Sequence, residues 1–352
     1  MTQEIQKSNM AQAKNSRSHG GPTVSDVARL AAVSAQTVSR VSNSRTNVDP
    51  GTRDRVLAAM KTLGYRPNLA ARSLVTARTR NIGLITSTLS SYGTMRTLDA
   101  ISDAALEFGY TITLMPLKLP SAGEVSGAAA TMARQDVDGI IVMVESSVLE
   151  QATMDLPLGV PVVVTDGDVG HRFQSVDSDA QPGIAAAMDH LLALGHRNIW
   201  HVAGPTASYD ARVRRDLWES SLRAQGLRVP HVYYGDWSAR SGYQIGSHLA
   251  ELNEATAIFA ANDQMALGIV RAYADSGKSV PLDLSVVGFD DMTESDQFIP
   301  RLTTIRQDFA ELGRRALNAV IDRIDRGQQH APIEPVPTAF VERESTGVPP
   351  VR

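Results

Sequence analysis

Three short apolar runs in the chain end in residues that can hold a hydroxylated ligand. Asp166 closes PVVVTD, Asn262 and Asp263 close AIFAAND, and Asp290 and Asp291 close SVVGFDD. Arg212 and Arg214 follow a fourth such run, and Trp237 sits in the tripeptide GDW. Carboxylates, amides and guanidinium forks donate to or accept from hydroxyl groups in pairs, and an indole covers the less polar face of a pyranose ring. A lone Asp at a strand end can equally cap a helix, and a lone Trp can equally fill a core. The weight lies in the recurrence. A second set stands near the start of the chain: Gln36 can pair with the edge of adenine and Arg40 with that of guanine, while Thr23, Ser34, Thr37, Ser39 and Asn43 can reach phosphates.

Enzyme chemistry finds less support. The chain has no cysteine, which excludes disulfides and thiolate chemistry. It carries no HExxH, GxSxG or GxGxxG, and His190 and His196 are badly spaced for one metal. Gly277-Lys278-Ser279 imitates the end of a phosphate-binding loop, but Ala272 stands where its first glycine belongs. Neither cofactor nor metal is expected. Paired Asp residues leave acid/base work on a sugar or nucleoside as an alternative, and a sugar-binding module of transport or chemotaxis as another.

The elements that position these residues differ between the two sets. Thr23 and Asp26 form a capping-box-like start, Val24, Val27, Ala28 and Ala31 recur at helical spacing, and Ala32-Val33 turn into Ser34, an N-cap for a second helix with Val38 and Val41 inward. Ala35, Gln36, Ser39 and Arg40 then face outward. Asp49 and Pro50 open a third helix, 50–63, with Val56, Leu57, Met60 and Leu63 expected inside and Gly64 as its stop. Three small helices around one core are a helix-turn-helix headpiece, whose second helix reads the major groove. Arg66-Pro67-Asn68 begins a further helical segment, 68–75, too short to stand alone in water. From Asn81 the texture changes to apolar runs at 82–86, 111–117, 139–144, 161–166, 198–204, 257–263 and 285–291, alternating with amphipathic helices. Seven such runs fit two doubly wound parallel-sheet lobes, whose ligands sit beyond the carboxyl ends of the strands.

Charge divides the chain at the same place. Residues 23–80 carry ten Arg and Lys against three Asp and Glu, and residues 81–352 carry twenty-one against thirty-four. A basic module on an acidic body points to nucleic acid as the partner of the first part only. No run approaches eighteen apolar residues and the first twenty-two are polar, so neither a membrane span nor a secretory signal is expected and the protein is placed in the cytoplasm.

The run VSDVARLAAVSAQTVSRVSN, followed by DPGTRDRVLAAMKTLGYRPNLAARSL, resembles the LacI/GalR repressor family. ARVRRDLW, ANDQMALG, SVVGFDD and IPRLTTIRQDF extend the likeness through the body, over roughly residues 22–345. The resemblance implies a repressor with an all-α headpiece and a body of periplasmic-binding-protein type, acting on near-palindromic operator DNA under a small sugar effector, first of all a galactoside-like inducer. It divides the chain into a disordered tail (1–21), headpiece (22–66), hinge helix and linker (67–80), two-lobed effector and dimerisation domain (81–345) and C-terminal tail (346–352). Ala35, Gln36 and Arg40 correspond to base readers, Asn68 and Arg72 belong to the hinge on DNA, and Leu74 is the apolar wedge in the minor groove. For the effector it implies Asp166, Arg214, Trp237, Asn262, Asp290, Gln307 and Phe309, with Ser91, Gly93 and Thr94 on the opposite wall and Thr97 behind them. Three features depart from the family pattern: Ala35 replaces a tyrosine, Ser178 replaces an aromatic ring of the pocket, and the Ser91–Thr94 wall is more polar, which leaves a different sugar, a larger oligosaccharide or a phosphorylated sugar open as the effector. The proline-rich end ERESTGVPPVR cannot form a heptad helix, so a homodimer is expected and not a tetramer.

Overall fold

The computed structural model describes residues 21–42, 47–65, 78–118, 121–144, 146–149, 159–165, 167, 173–327 and 332–351. The chain divides into two compact units, residues 1–79 and 80–352.

The first unit holds α1 (Val24–Ala31), α2 (Ala35–Ser42) and α3 (Pro50–Leu63). Each starts where a side chain can take up an orphaned backbone N–H. Thr23 Oγ1 accepts from the Asp26 amide while the Asp26 carboxylate accepts from that of Thr23, Ser34 accepts from Thr37, and Asp49 accepts from Thr52. Such caps are worth about 1 kcal/mol each. The sharp turn between α1 and α2 places Ala32 in the left-handed region (φ 54°), and Gly64 ends α3 the same way (φ 64°). Val27, Ala28, Ala31, Val38, Val41, Val56, Ala59 and Met60 form the core. Leu57, expected inside, is 49% exposed. The inward stripe of α3 runs Val56, Ala59, Met60 and Leu63, and Leu57 lies about 100° round from Val56 on a 3.6-residue helix.

The second unit contains two parallel sheets. In the first lobe β1 (Asn81–Thr86), β2 (Thr111–Pro116), β3 (Gly139–Met143), β4 (Val162–Thr165) and β5 (Gln174–Val176) lie in the order β2-β1-β3-β4-β5. The central strands β1, β3 and β4 are nearly continuous buried Ile, Leu and Val, as strands covered on both faces must be. The helices α4 (Tyr92–Glu107) and α5 (Ala122–Arg134) cover them. Between the lobes runs β6 (Ser178–Asp179). The second lobe begins with α6 (Gln181–Ala193) and has β7 (Ile199–Ala203), β8 (Tyr233–Tyr234), β9 (Ala257–Ala260) and β10 (Ser285–Val287) in the order β10-β9-β7-β8, all parallel, with α7 (Tyr209–Ala224), α8 (Ala239–Leu252) and α9 (Asp263–Asp275).

The lobes exchange segments at the end of the chain. After β11 (Thr304–Arg306) the helix α10 (Phe309–Arg326) returns to the first lobe, where Leu312, Ala316, Leu317 and Val320 share a core with Ile82, Leu84 and Ile141. Gly313 makes this fit, since a Cβ there would lie 2.6 Å from Ala100 of α4. The chain then comes back through β12 (Val336–Pro337), paired with β6, and β13 (Ala339–Val341), antiparallel to β11. Three passages therefore join the lobes. Thr346 and Gly347 stay fastened to the second lobe by hydrogen bonds with His190 and His196.

All seven expected strands form, with ends trimmed by up to a few residues. The additional strands β5, β6, β8, β11, β12 and β13 have only two or three residues each.

Candidate functional site

The carboxyl ends of the two sheets face one another across a cleft whose empty space, counted out to its open mouth, is about 780 Å³. Its second-lobe floor is organised around Arg214, on the second turn of α7. The guanidinium side chain is only 7% exposed. One end donates to the Ala261 carbonyl, and the fork lies 3.5 Å from Asp210 and 3.8 Å from Asp290. Its plane rests 3.8 Å from the centre of the Phe289 ring and 5.5 Å from that of Trp237. A buried cation is tolerable only with such partners, and here they also hold it still.

Asp290 follows β10 with φ 106°, a strained value for a residue with a side chain. Its carboxylate accepts from Gln307 Nε2 at 2.8 Å. Burial pushes its pKa up to about 6, against the pull of Arg214 and Gln307. Asn262 caps α9 by accepting from the Met265 amide and donates to the Trp237 carbonyl, at 2.9 Å in both cases. That bond ties the loop carrying the indole to the end of β9. The ring itself covers Gly204, where a Cβ would stand 2.3 Å from Trp237 Cη2, so only glycine lets the indole lie there.

The first-lobe wall is the start of α4. Ser91 caps it, accepting from the Thr94 amide and donating to Thr94 Oγ1 at 2.6 Å. Gly93 faces Phe309 and Thr97 is buried behind. Phe309, at the first turn of α10, meets Tyr92 edge to face at 5.9 Å. The cleft thus has a cationic and acidic floor, hydroxyl groups opposite, and aromatic rings at both sides.

The structure brings Ser91, Gly93, Thr94, Thr97, Arg214, Trp237, Asn262, Asp290, Gln307 and Phe309 to this one cavity. It also separates neighbours that sequence left equal. Asp263 is fully buried beneath the floor, accepting from the Met292 amide, Ser295 and Thr304, and burial with Asp290 nearby pushes it up to about 7. Asp291 turns away to Arg306 and Arg343, 2.6 Å from each. Arg212 leaves the cleft as well and donates to the Ala207 carbonyl. Ser178, on β6, lines an adjoining cavity that shares Asp210, Arg214 and Gln307 with this one. Asp166 lies outside the described residues.

Sequence reasoning missed Asp210, Ser208, Thr88 and Tyr92, all of which line the cleft. For Asp210 a signal existed: it precedes Arg214 by four residues, one helical turn, where opposite charges meet. Among the described residues no three His, Asp or Glu side chains are placed to hold a metal ion, and no helix is long and apolar enough to cross a membrane.

In the first unit Ala35, Gln36, Ser39 and Arg40 form an exposed face of α2, opposite the buried Val38 and Val41. Thr23 and Ser34 use their hydroxyl groups as caps, and Thr37 shares a 2.9 Å hydrogen bond with Ser34. They stand at helix starts, where backbone N–H groups favour anions. Asn43, Asn68, Arg72 and Leu74 lie outside the described residues.

A helix-turn-helix unit with an open polar recognition face, joined in one chain to a two-lobed α/β unit with a ligand cleft, defines a ligand-responsive DNA-binding regulator. Comparison with known proteins agrees: residues 23–68 match the bacterial regulatory proteins of the lacI family and residues 188–346 a periplasmic binding protein-like domain. The chain belongs to the lacI family. It is 34% identical to the lactose operon repressor of Escherichia coli strain K12, over 93% of this chain and 91% of that protein. Its fold matches the lac repressor dimer bound to operator and the anti-inducer ONPF with a TM-score of 0.82, at 33% identity over 93% of this chain and 100% of the other. The complex of the transcriptional regulator CelR with cellobiose matches with a TM-score of 0.66, at 31% identity over 92% of this chain and 99% of the other.

Proposed function

We propose that this protein is a cytoplasmic transcriptional repressor that binds a near-palindromic operator as a homodimer and answers to a neutral sugar, first of all a galactoside, held in the interlobe cleft. The observation that carries the reading is the convergence of Arg214, Asp290 and Asn262 with Trp237 and Phe309 in one cavity. The polar groups can donate to and accept from adjacent hydroxyls in a fixed geometry, and the rings offer flat apolar faces. Relatives crystallised with ONPG and with cellobiose support the ligand class. Asp166 belongs to the same grip in this reading, as do Asn68, Arg72 and Leu74 to the DNA contact.

A thermal-shift screen of sugars and sugar phosphates tests the ligand. A sugar at a hundred times its dissociation constant stabilises the folded state by about 2.7 kcal/mol. With that sugar, Arg214→Ala is expected to abolish the response of operator binding while operator binding itself persists. Simultaneous loss of both would count against the assignment.

A further inference from the structure

The loop after β10 sets two carboxylates back to back. Asp290 and Asp291 have φ 106° and 52°, consecutive left-handed values that send one side chain into the cleft and the next away from it. Such a backbone persists only where its surroundings hold it, and here it is fastened on both sides. The Asp263 amide donates to the Phe289 carbonyl, the Asp290 amide to that of Ile305, and the Met292 amide to the Asp263 carboxylate, each at 2.8 Å. The Asp291 side chain is 8% exposed and accepts from Arg306 Nε and Arg343 Nη2, at 2.6 Å in both cases. Those arginines mark two of the three passages between the lobes. Arg306 ends β11, three residues before α10 begins, and Arg343 stands two residues beyond β13, on which the chain returns. We infer that Asp291 is a positioning residue for the ligand response, fixing the second-lobe ends of both passages to the loop that carries Asp290. The inference rests on the cleft being the effector site and adds to it the joint through which occupancy is felt between the lobes.

Two observations carry it. The first is an alternation: Gln307 donates to Asp290 inside the cleft at 2.8 Å, while its neighbour Arg306 donates to Asp291 outside it. Each pair of adjacent residues therefore supplies one ligand-facing contact and one anchor, and the planar peptide unit between residues 290 and 291 lets neither carboxylate move alone. The second is the strength of the anchor. Arg343 also donates to the Leu302 carbonyl, and β11 is paired with β13 from Thr304 to Arg306, so the carboxylate joins a ribbon that is already closed. Hydrogen bonds between ionised partners are about twice as strong as neutral ones. Neutralising Asp291 would leave the largely buried Arg343 guanidinium without that counter-charge.

The test compares full-length wild type with Asp291→Asn, Arg306→Ala and Arg306→Lys. Calorimetry measures the binding of methyl β-galactoside, cellobiose and any other sugar that thermal shift detects. Fluorescence anisotropy on a near-palindromic fragment from the protein's own promoter region measures operator affinity with and without that sugar. Asp291→Asn is expected to bind the sugar within about threefold of wild type and to bind the operator, while the sugar's effect on operator affinity falls from about fivefold or more to less than about twofold. Arg306→Ala, at an exposed position, should weaken the effect severalfold and Arg306→Lys should keep most of it. These two variants cover the case in which the asparagine variant does not fold. A residue that only stabilises the fold would lower Tm and leave the ratio of the two operator affinities alone. A ratio that neither Asp291→Asn nor Arg306→Ala moves, or a wild-type protein that binds the sugar with no change in operator affinity, would overturn the inference and leave the sugar site standing. Loss of sugar binding in Asp291→Asn would overturn it as well, by placing Asp291 in the grip itself. If no sugar of any kind binds the wild type, the cleft reading falls and takes this part for Asp291 with it.

Discussion

Arg214 and Asp290 are useful to a ligand because their partners hold both in place within the cleft. Arg214 is divided among a carbonyl, two carboxylates and two aromatic rings, and Asp290 is held at a strained φ with its pKa raised to about 6 from the usual 3.8. The raised value has a definite sign. The folded protein holds a proton on Asp290 that the unfolded chain releases near pH 4, so this group's stabilisation is complete below about 4 and is lost as the pH rises to about 6. Asp263, raised to about 7, extends the same trend. Asp290→Asn should therefore flatten the fall of Tm between pH 4 and 6, and an unaltered slope in a melting series would contradict the assignment. Ligand affinity should move the other way, falling as acid protonates the acceptor. Gly204→Ala forces Trp237 off its seat; overpacking of this kind costs about 1–3 kcal/mol. The expected outcome is a sugar affinity reduced by about tenfold or more, with operator binding retained, and an unchanged titration would remove the indole from the site. Much of this floor was legible in sequence, because apolar runs end where strands end and the residues at those ends face the ligand in parallel sheets. Which of Asp290 and Asp291 faces it was not legible, since backbone dihedrals decide that and both have positive φ.

At the scale of the element, the proposed reading of DNA falls to α2 and to the hinge segment. The burial of Val38 and Val41 fixes the rotation of α2 and leaves Gln36 and Arg40 outward. A good bidentate contact to a base is worth about 1–3 kcal/mol of discrimination. Arg40→Ala should thus weaken the specific complex by roughly tenfold to a hundredfold and nonspecific DNA much less, which competitive mobility shifts can measure. For the hinge, Leu74→Ala should likewise cost specific binding far more than nonspecific binding, and equal losses would dispose of the wedge. The headpiece helices were readable because each carries its own cap and a 3.6-residue stripe; the stripe of α3 was misread by one position, at Leu57. The strands that join the lobes were hidden for a different reason. Segments of two or three residues such as β6, β12 and β13 show no alternation, and only pairing with a distant segment makes them strands. Ser178 lies in β6, and its place in the adjoining cavity was hidden with it.

The whole molecule sorts its charge by task. A headpiece and hinge with ten cationic against three anionic residues suits phosphate, and a body with thirty-four anionic against twenty-one cationic residues does not. Within the body, three passages connect two lobes that meet across a ligand cleft, an arrangement in which a ligand gripping both lobes favours one disposition over another. Ligand control of operator binding then requires only that the two dispositions differ in how well they support operator binding, a coupling of about 1–3 kcal/mol. The most direct test follows an operator fragment by fluorescence anisotropy while the sugar found by thermal shift is titrated in. The account predicts that the sugar releases the operator from the wild-type protein, with affinity falling by about fivefold to a hundredfold, and leaves the equally tight complex of Arg214→Ala untouched. A sugar that binds the protein without altering its affinity for operator, or that still releases the Arg214→Ala variant, would contradict it.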